Sequence, residues 1–140
     1  MSPHQSIDRF VTIVSAIIRN TDGKILMLQR GATGTFENHW QLPEGKIEKD
    51  EYPLLALQRE VHEEIGQNTN NTEFRCVSHN TLQAHGLTYL CIRLVFNVQT
   101  VSETVSLSDE HIAYKWVSLG EMKTLSLVPG IESALAMAQT

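Results

Sequence analysis

A chain of 140 residues with 41% apolar and 19% charged content has the composition of a single globular domain that buries one core, which excludes a disordered or fibrous polypeptide. The formal net charge of −5 argues against stable nucleic-acid binding, which needs clustered basic residues, and makes a cation necessary wherever this surface meets a phosphate. No N-terminal apolar run is long enough for a signal peptide or a membrane span, so the expected setting is the cytoplasm, with no membrane partner.

Residues 1 to 8 are polar and are expected to be a flexible, frayed start to a domain that spans 1 to 140. From Phe10 to Ile18 the enrichment in β-branched residues predicts a strand, and Asn20-Thr21-Asp22-Gly23 is a turn signal before a second strand, Lys24 to Gln29. The two are expected to pair as a hairpin. Arg30 follows, then a Gly-rich loop from Gly31 to Thr35. Asn68 to Asn71 is a polar loop, and Phe74 to Thr81 and Leu87 to Val98 are two further strands joined by a turn at Gln83-Ala84-His85-Gly86. The second is nearly continuous in apolar residues and is expected to be central and buried on both faces. Residues 99 to 109 form a loop, His111 to Val117 a short strand, Leu119 to Leu125 a brief helix and Ile131 to Ala138 a terminal helix. Cys76 and Cys91 match no metal spacing and are expected to be buried free thiols, with a cross-hairpin disulfide as the alternative.

The informative stretch runs from Gly45 to Gly66. Leu54, Leu57, Val61 and Ile65 recur at helical spacing, Pro53 fits the first helical turn and Gly66 the residue past the end. On that helix Glu60 and Glu64 fall side by side next to the apolar stripe, with Glu63 one step further round. Like charges at i, i+4 cost a helix roughly 0.2–0.5 kcal/mol per pair, so the cluster is a liability unless a cation sits against it. Oxygen-only ligands suit Mg²⁺ or Mn²⁺ better than zinc. A solvated acidic face is the ordinary alternative.

The spacing decides against the ordinary reading. Gly45, Glu51, Arg59, Glu60, Val61, Glu63, Glu64 and Gly66 match the pattern Gly-x5-Glu-x7-Arg-Glu-apolar-x-Glu-Glu-x-Gly, with Gln67 departing at the final apolar position. At average residue usage these matches arise by chance with a probability of roughly 10⁻⁹ per start position. The stretch resembles the signature of the Nudix hydrolases. His39-Trp40-Gln41-Leu42-Pro43-Glu44-Gly45 is similar to the family's Trp-x-apolar-Pro-Gly-Gly approach, with Glu44 in place of the first Gly, and Glu110 six residues before Trp116-Val117-Ser118-Leu119 resembles a late glutamate of many members.

The resemblance implies an α+β chain folded as an α/β/α sandwich around a mixed β-sheet. It implies hydrolysis of a nucleoside diphosphate linked to another moiety, by water attack on phosphorus with Mg²⁺ or Mn²⁺ as cofactor and a small nucleotide as partner. By the same resemblance Glu60 and Glu64 are direct metal ligands, Glu63 a direct or water-mediated one, and Glu44 a ligand through its carbonyl. Glu51 and Arg59 form an orienting salt bridge. Glu110 is the candidate general base or extra ligand, with Glu63, Asp109 and Glu103 as rivals, and Arg30 is the candidate phosphate contact. His39, His79, His85 and His111 are expected to be surface or satisfied side chains. Gln83 occupies the vicinity where some relatives carry a subclass-defining proline or tyrosine, which leaves a nucleoside triphosphate as the default substrate. A homodimer stays open, as does a catalytically silent sensor or binding module on the same fold.

Overall fold

Ten residues of β1 (Arg9–Ile18) run parallel to β6 (Leu87–Thr100), while Ile13–Ser15 of the same strand pair antiparallel with β4 (Glu44–Lys46). β5 (Thr69–Ala84) closes the far side of β6, so this sheet has the order β4-β1-β6-β5. A second sheet places β2 (Ile25–Arg30) between β3 (Trp40–Gln41) and β7 (His111–Val117), all antiparallel. Among the described residues three helices complete the fold: α1 (Pro53–Ile65), α2 (Leu119–Met122) and α3 (Ile131–Ala138). The computed structural model describes residues 6–140.

Strand alternation divides the buried residues between two cores. Val14, Ala16 and Ile18 of β1, Leu26 and Leu28 of β2, and Phe96 and Val98 of β6 pack under Ala56, Leu57, Val61 and Ile65 of α1. Ile17, Ile25, Met27 and Val95 point the other way, onto Ile131, Ala134, Leu135 and Ala138 of α3. β1 is therefore buried on both faces from Val14 to Ile18, and the chain is an α/β/α sandwich with a mixed sheet, as expected. Each side chain of Leu, Val or Ile size taken out of water here contributes about 1.5–3 kcal/mol.

Several expectations need correction. β1 and β2 do not form a hairpin, although the turn is present, with Asn20 N–H donating to Lys24 O and Gly23 N–H to Asn20 O, both at 2.9 Å. Both edges of β1 are taken by β4 and β6, so β2 passes to the other sheet and keeps one bridge, Arg19 to Ile25. The polar run from Thr69 is strand and not loop: β5 is an edge strand, and its first residues alternate towards solvent through two register shifts. β6 continues to Thr100, inside the stretch expected to be loop. It is central, and Val95 and Phe96 bury its two faces, but its N-terminal half is only partly covered and Gln99 near its end is exposed. Leu54 belongs to no core and is 44% exposed. Cys76 and Cys91 are free, as expected, because the register sets Cys76 opposite Val95 and Cys91 opposite Asn80, but of the two only Cys91 is buried. Residues 1 to 5 of the expected frayed end lie outside the described residues; Asp8 is tied down by a pair of hydrogen bonds with Thr88, at 2.9 and 2.8 Å.

α1 starts on Pro53 without a side-chain cap and stops at Gly66, whose left-handed backbone (φ 71°) lets its N–H return to His62 O at 3.0 Å. A Cβ at this position would stand 3.1 Å from Ser106 Cβ as well as straining the backbone. Gly66→Ala is expected to lower stability by about 1–2 kcal/mol in urea titrations, and Gly66→Asn, which tolerates the left-handed region, by less.

Candidate active site

The stripe that buries α1 also fixes where its carboxylates emerge. With Leu57, Val61 and Ile65 pinned in the core, Glu64 is turned inward against β4 and left 3% exposed, Glu60 is half-buried and Glu63 stands in solvent. Glu64 Oε1 accepts the backbone N–H of Glu44 at 2.8 Å, which ties helix to strand. That bond shows how Glu44 sits. It faces Ser15 of β1, but its N–H goes to Glu64, while the neighbouring Pro43 carbonyl accepts Ala16 N–H at 2.9 Å. The polar backbone groups of Glu44 therefore point off the free edge of β4, towards α1. At the next residue, a Cβ on Gly45 would collide with the Glu60 carboxylate. Only glycine permits that approach.

Arg59 holds the preceding loop against the helix. Its Nε and one terminal nitrogen donate to the two oxygens of Glu51 at 2.8 and 2.9 Å, and the same terminal nitrogen reaches Lys46 O at 3.1 Å. The other terminal nitrogen donates to Glu60 Oε1 at 2.7 Å and to Glu63 Oε2 at 3.3 Å. Glu48 N–H donates to Glu51 Oε1 at 3.0 Å. The guanidinium, helped by that backbone donor, holds the Glu51 carboxyl down to about 2, and Glu51 in turn raises Arg59 above its ordinary value.

A cavity of about 430 Å³ opens between α1, β4 and the turn before β7. It gathers Glu44, Glu60, Glu63, Glu64, Glu110 and Arg30, six of the eight residues singled out above. Glu51 and Arg59 stand behind it as a brace. Of the rivals to Glu110, Asp109 does not line it, and Glu103 lines a separate depression beside Arg19 and Asn20. Arg30 is held by its Nε on Thr35 O at 2.9 Å and by a terminal nitrogen on Gln41 Oε1 at 3.0 Å.

A NUDIX domain model matches residues 9–137. The chain belongs to the Nudix family. It is 30% identical over 112 residues to a MutT-like protein of Streptomyces ambofaciens, covering 80% of this chain and 66% of that one. It is 32% identical over 126 residues to a CTP pyrophosphohydrolase of Escherichia coli, covering 86% and 85% of the two chains. The crystal structure of a MutT protein from Methanosarcina mazei superposes with a TM-score of 0.76 at 28% identity, over 96% of both chains. Nudix hydrolases depend on divalent metals. Among the described residues no helix is long and apolar enough to cross a membrane.

In this Nudix domain the carboxylates nearest the helix are out of balance. Burial pushes the Glu64 carboxyl well above the ordinary range; the Glu44 N–H opposes this, and Glu60, Glu44 and Glu110 add to it. Burial raises Glu60 as well, against Arg59, with Glu63 and Glu110 adding. Burial and crowding therefore favour the neutral form of both carboxyls, against the pull of Arg59 on Glu60 and of the Glu44 N–H on Glu64.

Sequence reasoning missed Lys46 and Gln41 of the cavity wall, His111, and the buried Arg93. His111 was expected at the surface or satisfied, but it is 6% exposed, its Nδ1 has no partner and its Nε2 lies 3.4 Å from Gln41 Nε2. Nε2 is also 3.8 Å from Glu64 Oε2, yet burial and the Arg30 charge depress its pKa to about 4, so this contact is not an ion pair at neutral pH. Arg93 carried a signal, being the one charge inside the apolar run from Leu87 to Val98. It forms a two-pronged pair with Glu44, Nε to Oε1 at 3.2 Å and a terminal nitrogen to Oε2 at 3.1 Å. Removing one partner of such a buried pair typically costs about 3–5 kcal/mol.

A depressed histidine stabilises the fold above its unfolded pKa of 6.5, and that contribution is lost as pH falls through about 4. With a shift of this size worth about 3 kcal/mol, wild type is expected to lose stability between pH 6.5 and 4 in excess of His111→Gln, read from urea midpoints at each pH.

Proposed function

We propose that the protein is a divalent-metal-dependent nucleotide pyrophosphohydrolase, with Mg²⁺ or Mn²⁺ held by Glu60, Glu64 and Glu63 and by the Glu44 carbonyl. The observation that carries this is Glu64: a carboxylate buried beside Glu60, Glu44 and Glu110, accepting one N–H. Among the described residues no three His, Cys, Asp or Glu side chains stand as a ready-made ligand cluster, because Glu60 has turned to Arg59 and Glu64 to the Glu44 N–H. The donor set nonetheless fits a hard cation. It is all oxygen, its free charge lies on one wall of one cavity, and the Glu44 carbonyl shares the strand edge from which its N–H reaches Glu64.

A metal held by these residues would supply the positive charge that lets phosphate oxygens approach an acidic wall and would acidify a water there. The chain's own residues do the rest. Arg30 and Lys46 are cations of the cavity wall and take the phosphate oxygens. Glu110, in the turn before β7, lines the same cavity and accepts the proton of the water. Arg59 and Glu51 keep the β4 loop from drifting off the helix, so that Glu60 stays packed on Gly45. Nucleoside triphosphates are the proposed substrates, in keeping with the relative named for CTP.

Wild type is expected to melt higher in millimolar Mg²⁺ or Mn²⁺ than in NaCl of equal ionic strength, since an ion that binds only the folded state stabilises it by about 2.7 kcal/mol at a hundredfold excess over its Kd. Glu64→Gln, freed of a buried repulsion, should be at least as stable as wild type in EDTA. It should gain little from metal and lose turnover about 100-fold or more. Identical metal responses in the two proteins would remove Glu64 from the ligand set, and turnover that persists in EDTA would sink the mechanism.

Glu110→Gln is expected to lower turnover of a nucleoside triphosphate at least about tenfold with an unchanged melting temperature, because an exposed turn residue has little packing role and general-base help is typically worth 10²–10⁴-fold. Pyrophosphate release with equal rates in both proteins would transfer the base role to Glu63.

A further inference from the structure

Beyond Glu44 a second cleft, of about 280 Å³, continues from the first and shares with it Arg30, Gln41, Glu44 and Lys46. Its character changes at that border. Past Glu44 the lining turns apolar and aromatic, with Ile13, Phe36, Leu82, Tyr89 and Val128, and its conspicuous polar feature is the buried pair of Glu44 and Arg93. A cavity that is charged at one end and apolar with a few fixed polar groups at the other fits an amphipathic molecule whose phosphates lie at the metal end.

The pair is not chemically exhausted. Glu44 Oε1 accepts Ser15 Oγ–H at 2.8 Å and Arg93 Nε–H at 3.2 Å, which uses both of its lone pairs. Oε2 accepts one Arg93 N–H at 3.1 Å and keeps the other lone pair. Of the five guanidinium N–H groups, two go to Glu44 and one to Asn80 Oδ1 at 2.9 Å, which leaves two uncommitted. Because Asn80 turns its oxygen to Arg93, its own Nδ2 is buried with no partner. One free acceptor therefore stands beside a surplus of donors.

We propose that Glu44 and Arg93 are specificity-determining residues for the nucleobase of the substrate, and that they select a base edge with one N–H donor beside two acceptors. Glu44 Oε2 accepts the exocyclic amino group, and Arg93 donates to the adjacent ring nitrogen and carbonyl. Among the four common bases that edge belongs to cytosine; uracil offers acceptor, donor and acceptor, guanine one acceptor and two donors, and adenine no carbonyl. The apolar lining takes the faces of the ring. This reading rests on the nucleotide assignment above and adds the base to it.

The test separates the two readings by avoiding hydrolysis. Binding of CMP, UMP, GMP, AMP and the monophosphate of 2-pyrimidinone ribonucleoside, which lacks the 4-amino group, is measured by calorimetry on the whole protein in millimolar Mg²⁺, where a monophosphate has no anhydride bond to be hydrolysed. CMP is expected to bind wild type at least about tenfold more tightly than each of the others, and Glu44→Gln to bring CMP and UMP within about threefold of each other. Since Glu44→Gln leaves Arg93 without its counter-charge, the neutral double variant Glu44→Gln/Arg93→Gln is measured beside it, with circular dichroism and melting as checks of folding. The 2-pyrimidinone comparison needs only wild type and decides the matter if neither variant folds. Another base binding as tightly as cytosine, no loss on removing the amino group, or no monophosphate binding at all would overturn the proposal. None of these results bears on metal-dependent turnover, and an inactive protein that still ranks CMP first would overturn the hydrolase reading alone.

Discussion

Keeping the carboxylate of Glu64 inside the protein is the constraint to which the rest of the site responds. An ionised carboxylate buried without a counter-charge costs several kcal/mol, and here other carboxylates stand close by. The fold tolerates it because the helix cannot turn away. Leu57, Val61 and Ile65 lock the rotation of α1 against β1 and β6, and rotating Glu64 outward would expose all three. The Glu44 N–H then relieves part of the cost, and the rest remains as the raised pKa of Glu64. Stability of the helix and reactivity of the cavity are set by the same apolar stripe.

Two ion networks border this imbalance without cancelling it, and they differ in kind. The fork of Arg59 on Glu51 lies near solvent, where a pair contributes little net stability, but four of its contacts join α1 to Lys46, Glu48 and Glu51 and so hold the loop that follows β4. The pair of Arg93 with Glu44 is buried, where desolvation offsets most of its attraction. Geometry, more than energy, accounts for both. The first network keeps Glu60 against the strand, and the second holds the Glu44 side chain on Ser15 and Arg93.

Local periodicity made the helical part of the site legible. The stripe of α1, its Pro53 start and Gly66 stop, and the pairing of Arg59 with Glu51 all lie within one stretch whose contacts are mostly within fifteen residues or so, and β7 and α3 were read to the residue. Contacts decided by strand edges were not legible. Whether β1 pairs with β2 depends on β4 and β6 reaching its edges first, and nothing in Asn20-Thr21-Asp22-Gly23 encodes that. β3 and β4 are two and three residues long, too short for any period to show. His111 became buried because β7 pairs with Arg30 of β2, bringing Gln41 and Glu64 around it from distant parts of the chain.

Glu44 shows how one residue can serve two cavities. In an extended strand the backbone polar groups lie in the plane of the sheet, while the side chain leaves it at right angles. β4 is an edge strand, so its outer backbone groups have no strand partner and are met instead by a carboxylate from α1. The side chain, perpendicular to them, crosses to Ser15 and Arg93. A glycine here would present the same backbone edge to α1 and leave Arg93 uncompensated. The departure from the Gly-Gly approach therefore leaves the backbone edge that meets α1 as it was, and the added side chain stands beside the neighbouring cleft.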